Sequence, residues 1–229
     1  MATGNSINDE IREQRKKAFE RLDFKGKIKY WLYYYKWPAI IGAIILIFGG
    51  SMIYELLTKK DVALQVVYVN SSLNEESEEF MADFQKTIDI DEKKEETLLD
   101  NSIYIDASSP SYYAEQTFEK LFVMCSAGVV DVCIVDEEYF MTMANGGYFK
   151  DLSTVLTEEQ MKQYKDRLVW YDCPDNITEG QEAIAIEVTD SPKIVSTHSF
   201  PDKKYYYTII VNASNIDNSL AFLDYIETP

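Results

Sequence analysis

One apolar run constrains this chain more than any other feature of its sequence. Residues 38–57, PAIIGAIILIFGGSMIYELL, carry a single charged side chain, Glu55, near the end of the run. At about 1.5 Å per residue a helix of that length matches the ~30 Å hydrocarbon core of a bilayer, and soluble helices are rarely apolar around their whole circumference. The run predicts a transmembrane helix over residues 37–57, which makes the lipid bilayer the first expected partner.

The residues around this run indicate its orientation. The segment YWLYYYKWP supplies the aromatic belt and the lysine expected at one interface, and its Pro38 suits a first helical turn. Residues 1–37 carry nine Lys and Arg against five Asp and Glu, whereas the rest of the chain carries 13 bases against 34 acids. By the positive-inside rule, residues 1–36 are a cytoplasmic tail and residues 58–229 an extracytoplasmic domain.

The tail and the anchor together predict a single-pass protein of the cell membrane. No small-residue cleavage pattern lies near Gly50, so the helix is interpreted as an uncleaved signal anchor. In the tail, Ile7, Ile11, Ala18 and Leu22 fall on a narrow helical stripe flanked by bases. Two interpretations of this stripe stay open, a helix on the membrane surface and a solvated tail.

Charge and cysteine usage exclude several function classes. The acidic balance beyond the anchor repels phosphates, so no nucleic-acid partner is expected. Cys125, Cys133 and Cys173 lack the spacing of a zinc site and are predicted to be buried apolar side chains. Walker and dinucleotide-binding glycine patterns are missing as well, so no metal and no cofactor is expected.

The outer segment has the pattern of an α/β domain. Five runs have the composition of buried strands, at 62–69, 102–106, 130–135, 183–188 and 205–211. Helical spacing separates the first three runs, and this βαβαβ order predicts right-handed crossovers. We expect one domain with a mostly parallel, about five-stranded sheet flanked by helices.

Smaller signals fill the connections between these elements. The acidic stretch DIDEKKEE, 89–96, lacks the glycine of a calcium loop and is interpreted as a solvated connection. Thr157 and Gln160 have the spacing of a capping box. The segment SPKIVSTHSFPDKK, which contains the single histidine, His198, is interpreted as a loop.

The stretch Gly128–Leu152 resembles a known pattern. Gly128 ends a helix, Asp131 precedes a short strand, and a helix, a Gly-Gly turn, YFKDL and the Thr157 cap follow. These features, with AIAIEVTDSP and the final strand and helix, resemble extracellular solute-binding proteins of ABC importers. The resemblance implies one lobe of such a protein, and an association with an ABC transporter.

The chain departs from that family in one respect. Its members insert a second lobe between late elements of the first, but only 26 residues separate Leu156 from Ala183 and 16 separate Val188 from Tyr205. A small domain needs about 50 residues, so neither gap has room for a lobe. The sequence therefore predicts a single membrane-tethered lobe.

A binding site in such a fold is expected beyond the carboxyl ends of the strands. The loops after the first three strands supply the candidate ligand-binding residues, which are Asn70, Ser71, Ser72, Asp106, Ser108, Tyr112, Asp136 and Glu137. Their hydroxyl and amide groups suit a small polar solute, and Tyr112 and Tyr113 could stack on a sugar ring. A purely structural interpretation stays open, with Asp136 as a helix cap and Ser71 and Ser72 in an ordinary turn.

No catalytic motif is present in the sequence. A G-x-S-x-G elbow is missing, and the aspartates and glutamates are too abundant for adjacency in sequence to identify a catalytic pair. We therefore expect a non-enzymatic, membrane-tethered interaction or scaffold module that docks envelope or transporter proteins. The alternative is a binding protein or sensor for a sugar, peptide or other small solute, in which a homodimer partner could replace the second lobe.

Overall fold

The computed structural model describes residues 4–72, 75–105, 112–172, 180–200 and 203–229. The chain divides into two compact units, Met1–Lys59 and Lys60–Pro229. The first unit consists of helices α1 (Gly4–Glu20) and α2 (Phe24–Thr58). Within α2, the 24 residues Tyr35–Thr58 have a mean hydropathy of 2.1 and are not buried, so by length and composition this stretch can cross a membrane.

The start of α2 differs from the prediction. Asp23 caps the helix by accepting a hydrogen bond from the backbone N–H of Gly26 at 2.9 Å. Pro38 therefore lies inside α2, and the prediction of Pro38 in a first helical turn is wrong. The aromatic stretch before Pro38 continues the helix because the N-terminal amides already have their cap upstream.

The tail is helical over Gly4–Glu20, and the described residues of its apolar stripe are mostly exposed. Ile11 is 43% exposed, Ala18 is exposed, and Leu22 lies beyond the end of α1. Phe19 of α1 packs on α2, where its ring lies 5.6 Å from that of Tyr30.

The second unit is an α/β fold with helices on both faces of one sheet. Its strands are β1 (Asp61–Val69), β2 (Glu95–Ile103), β3 (Val132–Asp136), β4 (Leu168–Tyr171), β5 (Glu182–Glu187) and β6 (Tyr205–Ile209). Its helices are α3 (Glu75–Gln85), α4 (Tyr112–Ser126), α5 (Glu137–Asn145), α6 (Glu158–Gln163), α7 (Pro192–Ser196) and α8 (Ile216–Ile226), with a short 3-10 helix at Leu152–Thr154.

The sheet is mixed, and the prediction of a mostly parallel, about five-stranded sheet is wrong. The described strands form a six-stranded sheet in the order β2-β1-β3-β6-β5-β4. Only the pairs that β1 makes with β2 and β3 are parallel, and the three remaining pairs are antiparallel. The βαβ pattern stops at β3, and the strands after it pair antiparallel.

The two edge strands, β2 and β4, are the strands that the sequence pattern predicts in the wrong place or misses. β2 begins at Glu95, inside the stretch interpreted as a solvated connection, and β4 was not predicted. Both strands pair on one side only and are mostly half-buried, so polar side chains are tolerated and the apolar signal is weak. The predicted loop after β5 also contains a helix, α7, which begins at Pro192 after Ser191 and buries Ile194.

Each face of the sheet buries its own apolar cluster. On one face α3 and α8 contribute Phe84 and Phe222, whose rings meet edge to face at 5.1 Å and are fully buried. On the other face α4 and α5 contribute Leu121, Cys125 and Met143, all fully buried. A buried phenylalanine of this kind stabilises a fold by about 3–5 kcal/mol relative to alanine.

Local signals in the stretch Gly128–Leu152 and after it are confirmed. Gly128 follows α4 with a φ of 67°, and Gly147 follows α5 with the same φ, a conformation that glycine adopts without a Cβ penalty. The Thr157 hydroxyl accepts from the Gln160 N–H at 3.2 Å, while the Gln160 side chain accepts from the Thr157 N–H at 3.1 Å. This is the predicted capping box at the start of α6.

Candidate functional site

The candidate site lies at the carboxyl ends of β1 and β3. The chain passes from β1 to β2 on one side of β1, and then crosses over to β3 on the other side. After β3 the chain continues on the side away from β1, and where the connections after two adjacent strands diverge, open α/β sheets have a ligand-binding crevice beyond the carboxyl ends of the strands. Asn70 directly follows β1, and Asp136 is the last residue of β3.

Asn70 joins the ends of three strands. Its backbone has a φ of 58°, a left-handed conformation that asparagine tolerates better than most residues. The side-chain Oδ1 accepts a hydrogen bond from the N–H of Ile105 at 2.7 Å, just after β2. Its Nδ2 donates to Oδ2 of Asp136 at 2.8 Å, at the end of β3.

Asp136 is fully buried and has a structural role as well as a place in the site. Its Oδ1 accepts from the N–H of Tyr139 at 3.1 Å and caps α5, so the positive end of the helix stabilises the carboxylate. The half-exposed Lys203 has its Nζ 3.6 Å from Oδ2 of Asp136 and 3.6 Å from Oε2 of Glu138. The buried charge is thus compensated from two sides.

Three hydroxyl groups in this region are buried without hydrogen-bond partners. They belong to Tyr68, Ser71 and Tyr205. The ring of Phe200 lies between the two tyrosines, 4.8 Å from the ring of Tyr68 and 4.3 Å from that of Tyr205. The backbone N–H of Ser72 donates to the carbonyl of Ser199 at 2.5 Å, which holds this segment against the end of β1.

The two tyrosines carry neutral hydroxyls at physiological pH. Burial raises the pKa of Tyr68, with a smaller contribution from Tyr225. Burial also raises the pKa of Tyr205, and the nearby Asp136 carboxylate raises it further. An unsatisfied buried hydroxyl costs about 1–3 kcal/mol, so groups of this kind commonly mark a bound water or ligand. A fourth such hydroxyl, that of Tyr164, lies after α6 beside Arg167.

An open groove adjoins this region. Glu137, Glu138, Glu187, Thr189, Lys203 and Lys204 line it. Lys204 Nζ lies 3.2 Å from Oε2 of Glu187. The groove therefore offers both signs of charge, with Lys203 extending from its rim to the buried Asp136.

The predicted site residues fall into three groups. The structure brings Asn70 and Asp136 together, and the next residue after Asn70, Ser71, has a buried hydroxyl. Ser72 contributes its backbone, and Glu137 is an exposed residue at the start of α5. Asp106 and Ser108 lie outside the described residues, and Tyr112 is described only as the first residue of α4.

Tyr68, Phe200, Lys203 and Tyr205 were not among the predicted site residues. The sequence pattern places Tyr68 and Tyr205 in strands and the segment that contains Lys203 in a loop. Tyr205 reaches the site because β6 pairs antiparallel with β3 and places Tyr205 opposite Asp136. A parallel sheet would not have produced that register, so the sequence offered no signal for it.

A second buried aspartate lies just before the amino end of β3. Asp131 is 1% exposed. Its Oδ1 accepts from the backbone N–H groups of Ser214 and Asn215, both at 3.0 Å. Its Oδ2 accepts from the N–H of Gln65 and from Nδ2 of Asn215, again at 3.0 Å. Four donors saturate this carboxylate, which ties β1, β3 and the start of α8 together.

The acidic, histidine and cysteine side chains that the structure describes form neither a metal site nor a reactive thiol. Among the described residues, no group of three or more His, Cys, Asp or Glu is arranged to hold a metal ion. Cys125 and Cys133 are buried and unpaired, as predicted, whereas Cys173 lies outside the described residues. Burial raises the pKa of Cys125 to about 12 and that of Cys133 well above its ordinary value, so neither thiol is a nucleophile at neutral pH.

No protein family, curated protein or solved structure matches this chain.

Proposed function

We propose that this chain is a single-pass membrane protein whose carboxyl-terminal α/β unit is a non-enzymatic interaction module outside the cytoplasm. The observation that carries the proposal is Tyr35–Thr58, a helical stretch long and apolar enough to span a bilayer. The bases before this stretch and the acidic balance after it favour a cytoplasmic amino terminus. The envelope and transporter proteins of that membrane are the proposed partners.

The architecture of the second unit supports a docking role more than the closure of two lobes around a ligand. The gap after Leu156 supplies α6 and β4, and the gap before Tyr205 supplies α7. These elements belong to the same sheet and its cover, so a single lobe of the solute-binding type is the proposed ancestry. At the switch point, Asn70 and Asp136 are bound to each other and to the backbone, which favours a structural use of both.

Site-directed labelling tests the membrane topology. Lys25 and Lys162 are exposed, one before the apolar stretch and one in α6. In intact cells a membrane-impermeant maleimide should label Lys162→Cys, and it should label Lys25→Cys only after permeabilisation. The protein should also stay with membranes at alkaline pH. The opposite labelling pattern would contradict the orientation, and release at alkaline pH would contradict the anchor.

A second function, binding of a small polar solute, has its own supporting observation. The unpartnered hydroxyls of Tyr68, Ser71 and Tyr205 surround the end of β1, where this class of sheet binds ligands. A sugar or peptide could satisfy them through its own hydroxyl or amide groups. Binding to the folded form raises the melting temperature as RT ln(1 + [L]/Kd).

A solute screen distinguishes the two functions. The full chain in detergent should show a raised melting temperature with a solute that binds the site, and Ser71→Ala should reduce that shift. Thr154→Ala is a matched control, because Thr154 is an exposed hydroxyl residue in the 3-10 helix. If no sugar, peptide or amino acid raises the melting temperature, only the interaction module is supported.

A further inference from the structure

We propose that the first unit contains a binding site for the phosphate of an anionic phospholipid, between α1 and the first turns of α2. The cavity is lined by Arg12, Arg15, Lys16, Phe19, Tyr30, Trp31 and Tyr35. The proposal rests on the membrane insertion of α2 proposed above, and it adds a specific lipid class to it.

The connection between the two helices brings their ends together. Only residues 21–23 separate α1 from α2, and Asp23 caps α2 through Gly26. A Cβ at Gly26 would lie 2.7 Å from Oδ1 of Asp23 and 3.2 Å from Cβ of Leu22. The absence of a side chain at Gly26 therefore permits this tight corner.

Aromatic contacts hold α1 against α2 beyond the corner. The rings of Phe19 and Tyr30 lie 5.6 Å apart, and Nζ of Lys27 lies 5.5 Å from the centre of the Phe19 ring. Tilted ring pairs and cations over a ring each add about 0.5–1 kcal/mol beyond the burial of area. These contacts form one end of the cavity.

The bases of the cavity share one face of α1. Arg12, Arg15 and Lys16 are spaced three and four residues apart, and Phe19 continues the same face. Among the described lining residues there is no acid. Glu13 lies on another side of the helix, where Oε2 is 3.6 Å from Nζ of Lys17. The cavity thus collects three positive charges opposite an aromatic wall.

The aromatic wall places these charges at the level of lipid headgroups. Trp31 and Tyr35 stack with their ring centres 6.0 Å apart, and Tyr35 is the first residue of the stretch that can cross a membrane. Tryptophan and tyrosine at the end of a span lie at the headgroup level. A lipid phosphate would meet the guanidinium groups there while its acyl chains lie along the apolar surface of α2. A free phosphate would use only the charges.

Tryptophan quenching tests the site in the full-length protein. The chain has three tryptophans, and Trp37 and Trp170 are 67% and 47% exposed, so Trp37→Phe with Trp170→Phe leaves Trp31 as the reporter. The protein is reconstituted in vesicles of phosphatidylcholine and phosphatidylglycerol in which only one of the two lipids carries brominated chains. At equal mole fraction, brominated phosphatidylglycerol should quench Trp31 more strongly, with a relative binding constant of about five or more, the effect of one base near an anionic surface.

Matched variants assign the preference to the cavity. Replacing Arg12, Arg15 and Lys16 with glutamine should bring the relative binding constant close to one. Replacing Lys17, Arg21 and Lys25 with glutamine removes the same charge outside the lining residues and should leave the preference intact. Circular dichroism verifies that both variants keep their helices.

Three results would overturn the proposal, and they are distinguishable. Equal quenching by the two brominated lipids in the unaltered background would exclude the anionic site but leave membrane insertion in place. Loss of the preference on adding inorganic phosphate would assign the cavity to a free anion. Absence of quenching by either lipid would overturn the insertion of α2 and the lipid site together.

Discussion

Two buried aspartates flank the same strand, β3, and their surroundings differ. Asp131 precedes the strand and accepts four hydrogen bonds, three of them from backbone N–H groups. Asp136 ends the strand and accepts one from a backbone N–H and one from the side chain of Asn70, with the half-exposed Lys203 at 3.6 Å. Both carboxylates are almost completely inaccessible to solvent.

The difference separates a structural end of the sheet from an end with unused hydrogen-bonding capacity. Around Asp131 every carboxylate oxygen has two donors, so nothing remains for a ligand. At the Asp136 end of the sheet, the hydroxyls of Tyr68, Ser71 and Tyr205 are buried without partners, and Tyr205 lies opposite Asp136 in the β3–β6 pair. Burial of an aspartate is therefore a poor indicator of function here, and the state of its neighbours is a better one.

Replacing Asp131 should have the largest effect. In Asp131→Asn an amide –NH₂ must face N–H donors whichever way the side chain turns, because both oxygens accept such bonds. We expect a loss of about 3 kcal/mol, which lowers the melting temperature of a unit of this size by roughly 6–12 °C. Scanning fluorimetry of the full chain in detergent measures it. Asp136→Asn, which keeps a cap for α5, should lose about half as much, and equal losses would remove the distinction between the two ends.

A second carboxylate in the Asn70–Asp136 pair should have the second-largest effect on stability. Asn70→Asp places a second carboxylate 2.8 Å from Oδ2 of Asp136 and should cost about 2 kcal/mol. Adding Asp136→Asn restores one charge and one amide, while the carboxylate at position 70 still accepts from Ile105, so the double variant should recover most of the loss. The melting temperatures of the four proteins form a double-mutant cycle. An additive result would mean that the 2.8 Å contact contributes nothing to folding.

Two glycines with the same backbone angle should differ in cost. Gly128 lies before β3, and a Cβ there would be 3.1 Å from the carbonyl oxygen of Asn212, whereas nothing lies within 4 Å of a Cβ at Gly147. Both have a φ of 67°, so Gly147→Ala should cost about 1 kcal/mol and Gly128→Ala up to about 2 kcal/mol. Urea unfolding measures the two free energies. A larger loss of stability in Gly147→Ala than in Gly128→Ala would show that the chain around Gly128, before β3, is less tightly packed than the structure indicates.

The smallest effect should come from the hydroxyl of Tyr68. Tyr68→Phe removes a buried hydroxyl without a partner and should leave stability unchanged or raise it by up to about 1 kcal/mol. Tyr207 is the matched control, because its hydroxyl donates to the carbonyl of Ser219 at 2.7 Å, and Tyr207→Phe should lose about 1 kcal/mol. Urea unfolding compares both. If Tyr68→Phe is as destabilising as Tyr207→Phe, the hydroxyl of Tyr68 has a hydrogen-bond partner in solution and no longer supports a ligand site.

Part of the fold and of the site could be predicted because the signals are local. Helical spacing after the first strand predicted a helix there, and α3 forms in that place and buries Phe80 and Phe84. Asp136 caps α5, which is one of the two interpretations of its position after an apolar run, and Asn70 and Asp136, both predicted beyond the carboxyl ends of the strands, are hydrogen-bonded to each other. Such signals depend on spacing along the chain, which the sequence displays directly.

The sequence by itself determined the apolar stretch near the amino terminus, the caps of α5 and α6 and the central strands β1 and β3, because each follows from the order of residues along the chain. The tertiary structure alone decided that the sheet is mixed, that β2 and β4 are its edges, and that Tyr205 lies opposite Asp136. Strand direction and register depend on pairing between residues far apart in sequence, such as Asp136 and Tyr205, and no local pattern encodes that pairing.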